Sequence, residues 1–175
     1  MSIDTKKIVE NAFIAAIYFV VTLICMPLSY GLIQFRVSEL LMLLCFFRKD
    51  FVIGLTIGCF LSNLAGSGSV LGSSGWIDAF VGSTATLLSG LLMPYCKKLF
   101  IASLLPAIFN GLIVGAELTY LFEVSDLYYV AFGYVFLGEL VVVSIVGYIF
   151  FIILIKKDKK FLTRINATCN LKVKW

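Results

Sequence analysis

The chain has 175 residues, 61% of them hydrophobic and 14% charged, with a formal net charge of +4. Soluble domains sit near about 45–50% apolar, so this composition excludes an ordinary soluble domain and predicts an all-α membrane protein, a single integral-membrane domain over 1–175. There is no histidine, which removes the commonest metal ligand and the commonest general base.

Met1 to Glu10 is polar and carries Lys6 and Lys7. A first helix is expected over about 8–27. Its apolar run is too long for a signal peptide, and equally apolar runs follow it. Pro27 to Gln34 reads as a loop. A shorter second helix, 36–48, ends at Arg48-Lys49-Asp50. A third covers 51–65, and Gly66 to Gly75 reads as a Gly/Ser-rich loop. A fourth helix covers 76–95 and stops before Lys97-Lys98. A fifth covers 99–122, a sixth 127–155, and a basic tail fills 156–175. Cys25, Cys45, Cys59, Cys96 and Cys169 show no CxxC spacing. They read as small apolar side chains, and no metal site is expected.

Six transmembrane helices place both termini on one side, and Lys and Arg decide which side. Of the 14 such residues, Lys6, Lys7, Arg48, Lys49, Lys97, Lys98 and all those of the tail fall on one face, and Arg36 falls alone on the other. Both termini are therefore expected in the cytoplasm of a cell whose membrane this chain crosses. The tail is expected to touch anionic lipid rather than nucleic acid.

Arg36 and Glu39 open the second helix, Asn63 lies at the end of the third, and Asp78 opens the fourth. Glu117 lies in the outer part of the fifth, with Asn110 on the same helix face, seven residues earlier. Glu139 lies near the middle of the sixth. A charge at the bilayer centre costs about 2.5–3.5 kcal/mol, so each needs protein or a wet cavity to face. All of them fall in the outer half or middle of the membrane. That sorting predicts a cavity open to the outside, with the segments 28–35 and 66–75 as its lid.

Plainer roles compete with this. Arg36 and Glu39, three apart, can pair with each other. Asp78 can serve as a favourable anion at a helix start. Trp76, Phe80 and Tyr120 can be interfacial belt aromatics. Glu117 and Glu139 have no cation on their own helices, which favours a functional role. Small residues recur at spacing four, at Ala12 and Ala16, at Gly54, Gly58 and Ser62, at Gly82, Thr86 and Gly90, and at Gly111 and Gly115. Most read as close helix packing. Ala12 and Ala16 could instead meet a separate protein. There is no GxxxxGK[ST] and no GxSxG, so the chain reads as a binding or transport protein rather than an enzyme, with no ATP site of its own.

Five stretches carry a family likeness: Ile33 to Glu39 (IQFRVSE), Gly54 to Asn63 (GLTIGCFLSN), Asp78 to Leu87 (DAFVGSTATL), Phe109 to Glu117 (FNGLIVGAE) and Gly138 to Val143 (GELVVV). In this order, over about 8–155, they resemble the queuosine-precursor transporter family, the substrate-binding S components of energy-coupling-factor (ECF) transporters. The resemblance implies a six-helix S-component-like bundle that holds a 7-deazaguanine, such as its aminomethyl form or queuine, near the outer face. It implies a membrane coupling subunit, docked through Ala12 and Ala16, and two cytoplasmic ATPases that use the ATP, so that no cofactor belongs to this chain. A guanine-like edge presents a ring N–H beside an exocyclic amine, and one carboxylate accepts both. An aminomethyl group needs a second acid. Glu117, Glu139 and Asp78 are candidates for these tasks. Asn110 and Asn63 would serve the carbonyl and ring atoms, Arg36 and Glu39 would line the outer end, and Trp76 or Phe80 would stack on the flat face. The alternatives are an S component for another vitamin-like ligand, a stand-alone proton-coupled carrier using Glu117 and Glu139, and a small membrane scaffold.

Overall fold

The computed structural model describes residues 5–30, 33–71, 75–123 and 127–170, and only the backbone of 67–71. Every regular element among them is helical. Helix α1 is Thr5–Ile24 and buries Ala15, Tyr18 and Thr22 along one face. A single turn, α2, Met26–Ser29, starts with Pro27 in its first turn, where the missing N–H costs nothing. Helix α3, Val37–Phe47, is a 3-10 helix up to Leu43 and α-helical from Leu44. Then come α4, Phe51–Leu71, and α5, Gly75–Leu92, which ends in a 3-10 turn, Met93–Tyr95. Helix α6 is Leu99–Tyr120. Helix α7 runs from Tyr128 to Lys157 with a π-helical stretch, Leu140–Gly147, in its middle. A short helix, α8, covers Phe161–Arg164.

Among the described residues four segments are long and apolar enough to cross a bilayer: Thr5–Ile24, Gly75–Tyr95, Leu99–Tyr120 and Tyr128–Lys157. Two expectations need correction. The second predicted helix is too short to cross, since 11 residues at about 1.5–2.0 Å each fall well below the ~30 Å hydrocarbon core. It is a half-helix inside the bundle, entered by an extended segment at Arg36. Such backbone is tolerated at membrane depth where protein surrounds it. The predicted 66–75 loop is largely helix, because α4 continues to Leu71. Isolated glycines cost a helix only about 1 kcal/mol each, which tertiary packing offsets. What remains of that predicted lid, 72–74, lies outside the described residues, as do Gly31 and Leu32 of the other lid segment.

Small residues decide how closely the helices approach. A Cβ on Gly58 would stand 2.9 Å from both the Ala15 carbonyl oxygen and Tyr18 Cβ, so α4 lies against the backbone of α1. A Cβ on Gly115 would stand 2.9 Å from Phe132 Cα, which sets the α6–α7 contact. Gly58→Leu should therefore destabilise the purified protein by about 1–3 kcal/mol, read as a lowered thermal midpoint in detergent. An unchanged midpoint would show that α1 and α4 part easily.

The elements that carry most of the cations meet at one end of the bundle. Arg48 Nη1 lies 2.5 Å from Glu10 of α1, and Lys7 Nζ lies 3.6 Å from Asp50. Arg48 Nη1 also donates to the Ile165 carbonyl, and Asn170 Nδ2 to those of Phe46 and Pro94. Above this end lies an apolar layer of Met42, Phe46, Phe47, Leu55, Met93, Leu99 and Phe151, all buried.

Candidate functional site

On the far side of that layer the core turns polar. Arg36, Glu39, Asn63, Asp78, Asn110, Glu117 and Glu139 are all buried, none above 5% exposed. They come from α3 and the segment before it, and from α4, α5, α6 and α7, so every predicted polar candidate points inward. Local structure explains how. Glu39 sits in the first turn of the half-helix α3, which starts inside the bundle and carries Glu39 into its centre. Beside Glu139, Gly138 lets the chain before α3 pass close, since a Cβ there would stand 2.9 Å from the Gln34 carbonyl carbon. The π-helical stretch begins at the residue after Glu139. Such stretches are rare and frequent at functional sites.

Among the described residues Arg36 is the one cation of the cluster. It lies within electrostatic reach of Glu39, Asp78, Glu117 and Glu139. Four buried carboxyl groups thus act electrostatically on one guanidinium. Among the described residues Arg36 forms no ion pair within 4.0 Å; its Nη1 donates to the Cys59 sulfur at 3.7 Å, and its guanidinium lies 5.6 Å from the Tyr30 ring centre. The local Arg36–Glu39 pair considered from spacing therefore does not form. Glu39 Oε1 instead accepts from the Tyr18 hydroxyl and, at 3.3 Å, from Thr86 Oγ1.

Glu117 and Glu139 are provided for less well. Glu117 Oε1 and Oε2 accept no hydrogen bond from an amide or hydroxyl donor. Asp78 lies close enough to act on Glu117 electrostatically. Among the described residues Glu139 Oε2 and Glu39 Oε2 are without partners, and so are both amide atoms of Asn110, Asn63 Oδ1 and Arg36 Nε. Asn63 is partly structural, because its Nδ2 donates to the Asp78 carbonyl at 3.1 Å and ties α4 to α5. Buried polar groups are nearly always paired, and an unpaired buried acid is costly. So many on converging elements make this cluster the least satisfied part of the core among the described residues.

The structure does not bring Trp76 to this cluster. It is 55% exposed and lies edge-on to Phe60, which also meets Phe80 at 5.1 Å. The two aromatics expected to stack on a ligand belong instead to an outward-facing patch. The stacking candidate inside the cluster is Tyr30, whose hydroxyl donates to the Ser62 carbonyl at 2.6 Å. Sequence reasoning also missed Tyr18, Cys59 and Thr86. Tyr18 and Thr22 form an i, i+4 polar pair in an otherwise apolar stretch of α1, which was a usable signal. Thr86 was hidden in a row of small residues. Ala12 and Ala16 are exposed, on the side of α1 away from the buried Ala15, Tyr18 and Thr22.

Among the described residues no group of His, Cys, Asp or Glu is arranged to hold a metal ion. No solved structure matches the chain. The queuosine precursor transporter QueT of Lactococcus lactis subsp. cremoris (strain MG1363) is 42% identical over 85 residues, which cover 47% of this chain and 46% of that protein. The chain thus aligns with less than half the length of the curated relative. The family model of the QueT transporters matches residues 8–156, nearly every element described above. This multi-pass helical membrane protein belongs to the QueT transporter family.

Proposed function

We propose that the chain is the substrate-binding subunit of an ECF-type importer, and that it takes up a 7-deazaguanine queuosine precursor across the bacterial cytoplasmic membrane. The observation that carries this reading is the buried excess of acids, four buried carboxyls within electrostatic reach of Arg36, three of them with an oxygen that has no partner among the described residues. A deazaguanine with an aminomethyl arm supplies what they lack. Its ring N–H and exocyclic amine suit one carboxylate, and its ammonium suits a second. Glu117 with Asp78 forms one such pole, and Glu139 beside Glu39 the other. Asn110 offers both a donor and an acceptor to the remaining ring edge. In support, the relative from Lactococcus lactis carries the name queuosine precursor transporter.

In this account the bundle has six membrane-inserted helices, counting the half-helix α3, with the charged end of the molecule in the cytoplasm. Two separate ATPases hydrolyse the ATP, and a membrane coupling subunit packs on the exposed Ala12 and Ala16 face of α1. Mass spectrometry of small molecules released from the purified, denatured protein tests the cargo. A 7-deazaguanine is expected, and an unrelated vitamin would redirect the assignment. Ala16→Trp tests the docking face. It should abolish co-purification with the coupling subunit and leave ligand affinity unchanged. Loss of affinity as well would make that face internal packing.

A second reading, a carrier driven by protons, draws on Glu117 and Glu139, two acids buried in the bundle. Uptake that persists in cells lacking ECF ATPases would establish it.

A further inference from the structure

The strongest unexplained construction lies at the opposite end from the acids. Residues 158–170 fold back under the bundle instead of trailing along the membrane surface. Phe161, Leu162, Ile165 and Ala167 pack on the apolar core, with the Phe161 ring 6.1 Å from Phe151. Helix α8 is closed by a double hydrogen bond, from Asn166 N to Thr163 O at 3.1 Å and from Ala167 N to Leu162 O at 2.9 Å, with Asn166 at φ 50°. That is the Schellman arrangement, with asparagine tolerating the left-handed position. The turn aims the next residues at the end of α3. Thr168 N and Cys169 N both donate to Phe47 O at 2.9 Å. Asn170 Nδ2 donates to Phe46 O at 2.8 Å and to Pro94 O at 3.2 Å. Buried Arg48 completes the assembly, holding Ile165 O, Glu10 and Asp50 at once.

The last carbonyls of any helix lack partners within the helix. Here the tail supplies the donors for α3. That helix needs them, because it is short and mostly 3-10, with poorer hydrogen bonds than an α-helix, and short helices are marginal alone. Its opposite end carries Glu39, with Arg36 just before it, into the polar cluster. So α3 is fastened at two places, by Tyr18 and Thr86 on Glu39 and by the tail on Phe46 and Phe47.

We propose that the C-terminal segment 158–170 is an inner-end clamp that positions α3, so that releasing it disorders Arg36 and Glu39 and loosens the ligand site from the cytoplasmic side. Asn170 and Arg48 are positioning residues in this scheme, about 12–16 Å of helix away from Glu39. The link to a ligand rests on the proposed function; the clamp itself does not.

Amide hydrogen exchange on the purified full chain, on a chain ended after Lys157, and on Asn170→Ala tests it, together with titration by aminomethyl-7-deazaguanine. In both variants, amides of 40–47 should exchange at least tenfold faster, while those of α4, α5 and α6 keep their rates. Affinity for the deazaguanine should fall about tenfold. Unchanged exchange in 40–47 overturns the clamp. Faster exchange with unchanged affinity overturns its action on the site, and faster exchange throughout the bundle makes the tail a general requirement for folding. If the full chain binds no deazaguanine, the cargo assignment fails, and the exchange rates alone decide the clamp.

Discussion

Glu117→Gln and Glu139→Gln should each weaken deazaguanine binding by about 30-fold to several thousand-fold. Removing one partner of a buried, charged hydrogen bond costs about 2–5 kcal/mol, which converts to that range of affinity. The stability of the empty protein should hold or rise. Among the described residues Glu117 has no hydrogen-bond partner to lose, and it lies within electrostatic reach of Asp78. Glu139 lies near Glu39 and keeps one oxygen unpartnered. An amide at either position keeps the shape of the side chain and removes one acid from a cluster with a single guanidinium. Calorimetric titration and a thermal scan of each variant separate the two effects. Tight binding by both variants would make the acids structural and move the site elsewhere.

Arg36→Met should do the reverse to stability. It removes the only guanidinium among four carboxyl groups and leaves them buried with no cation. Breaking a buried charge system by deleting one partner typically costs about 3–5 kcal/mol. For a chain of this size that corresponds to a thermal midpoint lower by on the order of 10 °C. The empty protein should show the loss without any ligand present. A midpoint equal to that of the parent would mean that the acids are held by something other than Arg36. The two experiments together distinguish acids kept for an occupant from a cation kept for the fold.

Much of the site was legible because bilayer physics makes a buried charge conspicuous. Arg36, Glu39, Asp78, Glu117 and Glu139 stand out in apolar runs, and the structure buries all five and brings the acids within electrostatic reach of Arg36. The spacing of Gly111 and Gly115 anticipated the close α6–α7 contact. What the sequence did not carry was the geometry of irregular helix. Nothing in Val37 to Phe47 distinguishes a 3-10 half-helix from a short span, and nothing in Leu140 to Gly147 announces a π stretch, because both depend on how the two segments pack. The Gly/Ser run after Ala65 looked like a loop on composition, yet α4 runs through it to Leu71. Trp76 and Phe80 were assigned by depth alone, and depth does not say which side of a helix faces the ligand. The tail was read by its charge, and its packing on Phe46 and Phe47 through Asn166 and Asn170 left no periodic signal.

The most direct test of the account is equilibrium titration of the purified full-length protein with aminomethyl-7-deazaguanine, beside the same ring system without the amine. The account predicts one saturable site, tighter for the amine-bearing compound by at least tenfold, and lost in Glu117→Gln. Saturable binding of an unrelated vitamin with no heat from either deazaguanine would contradict it.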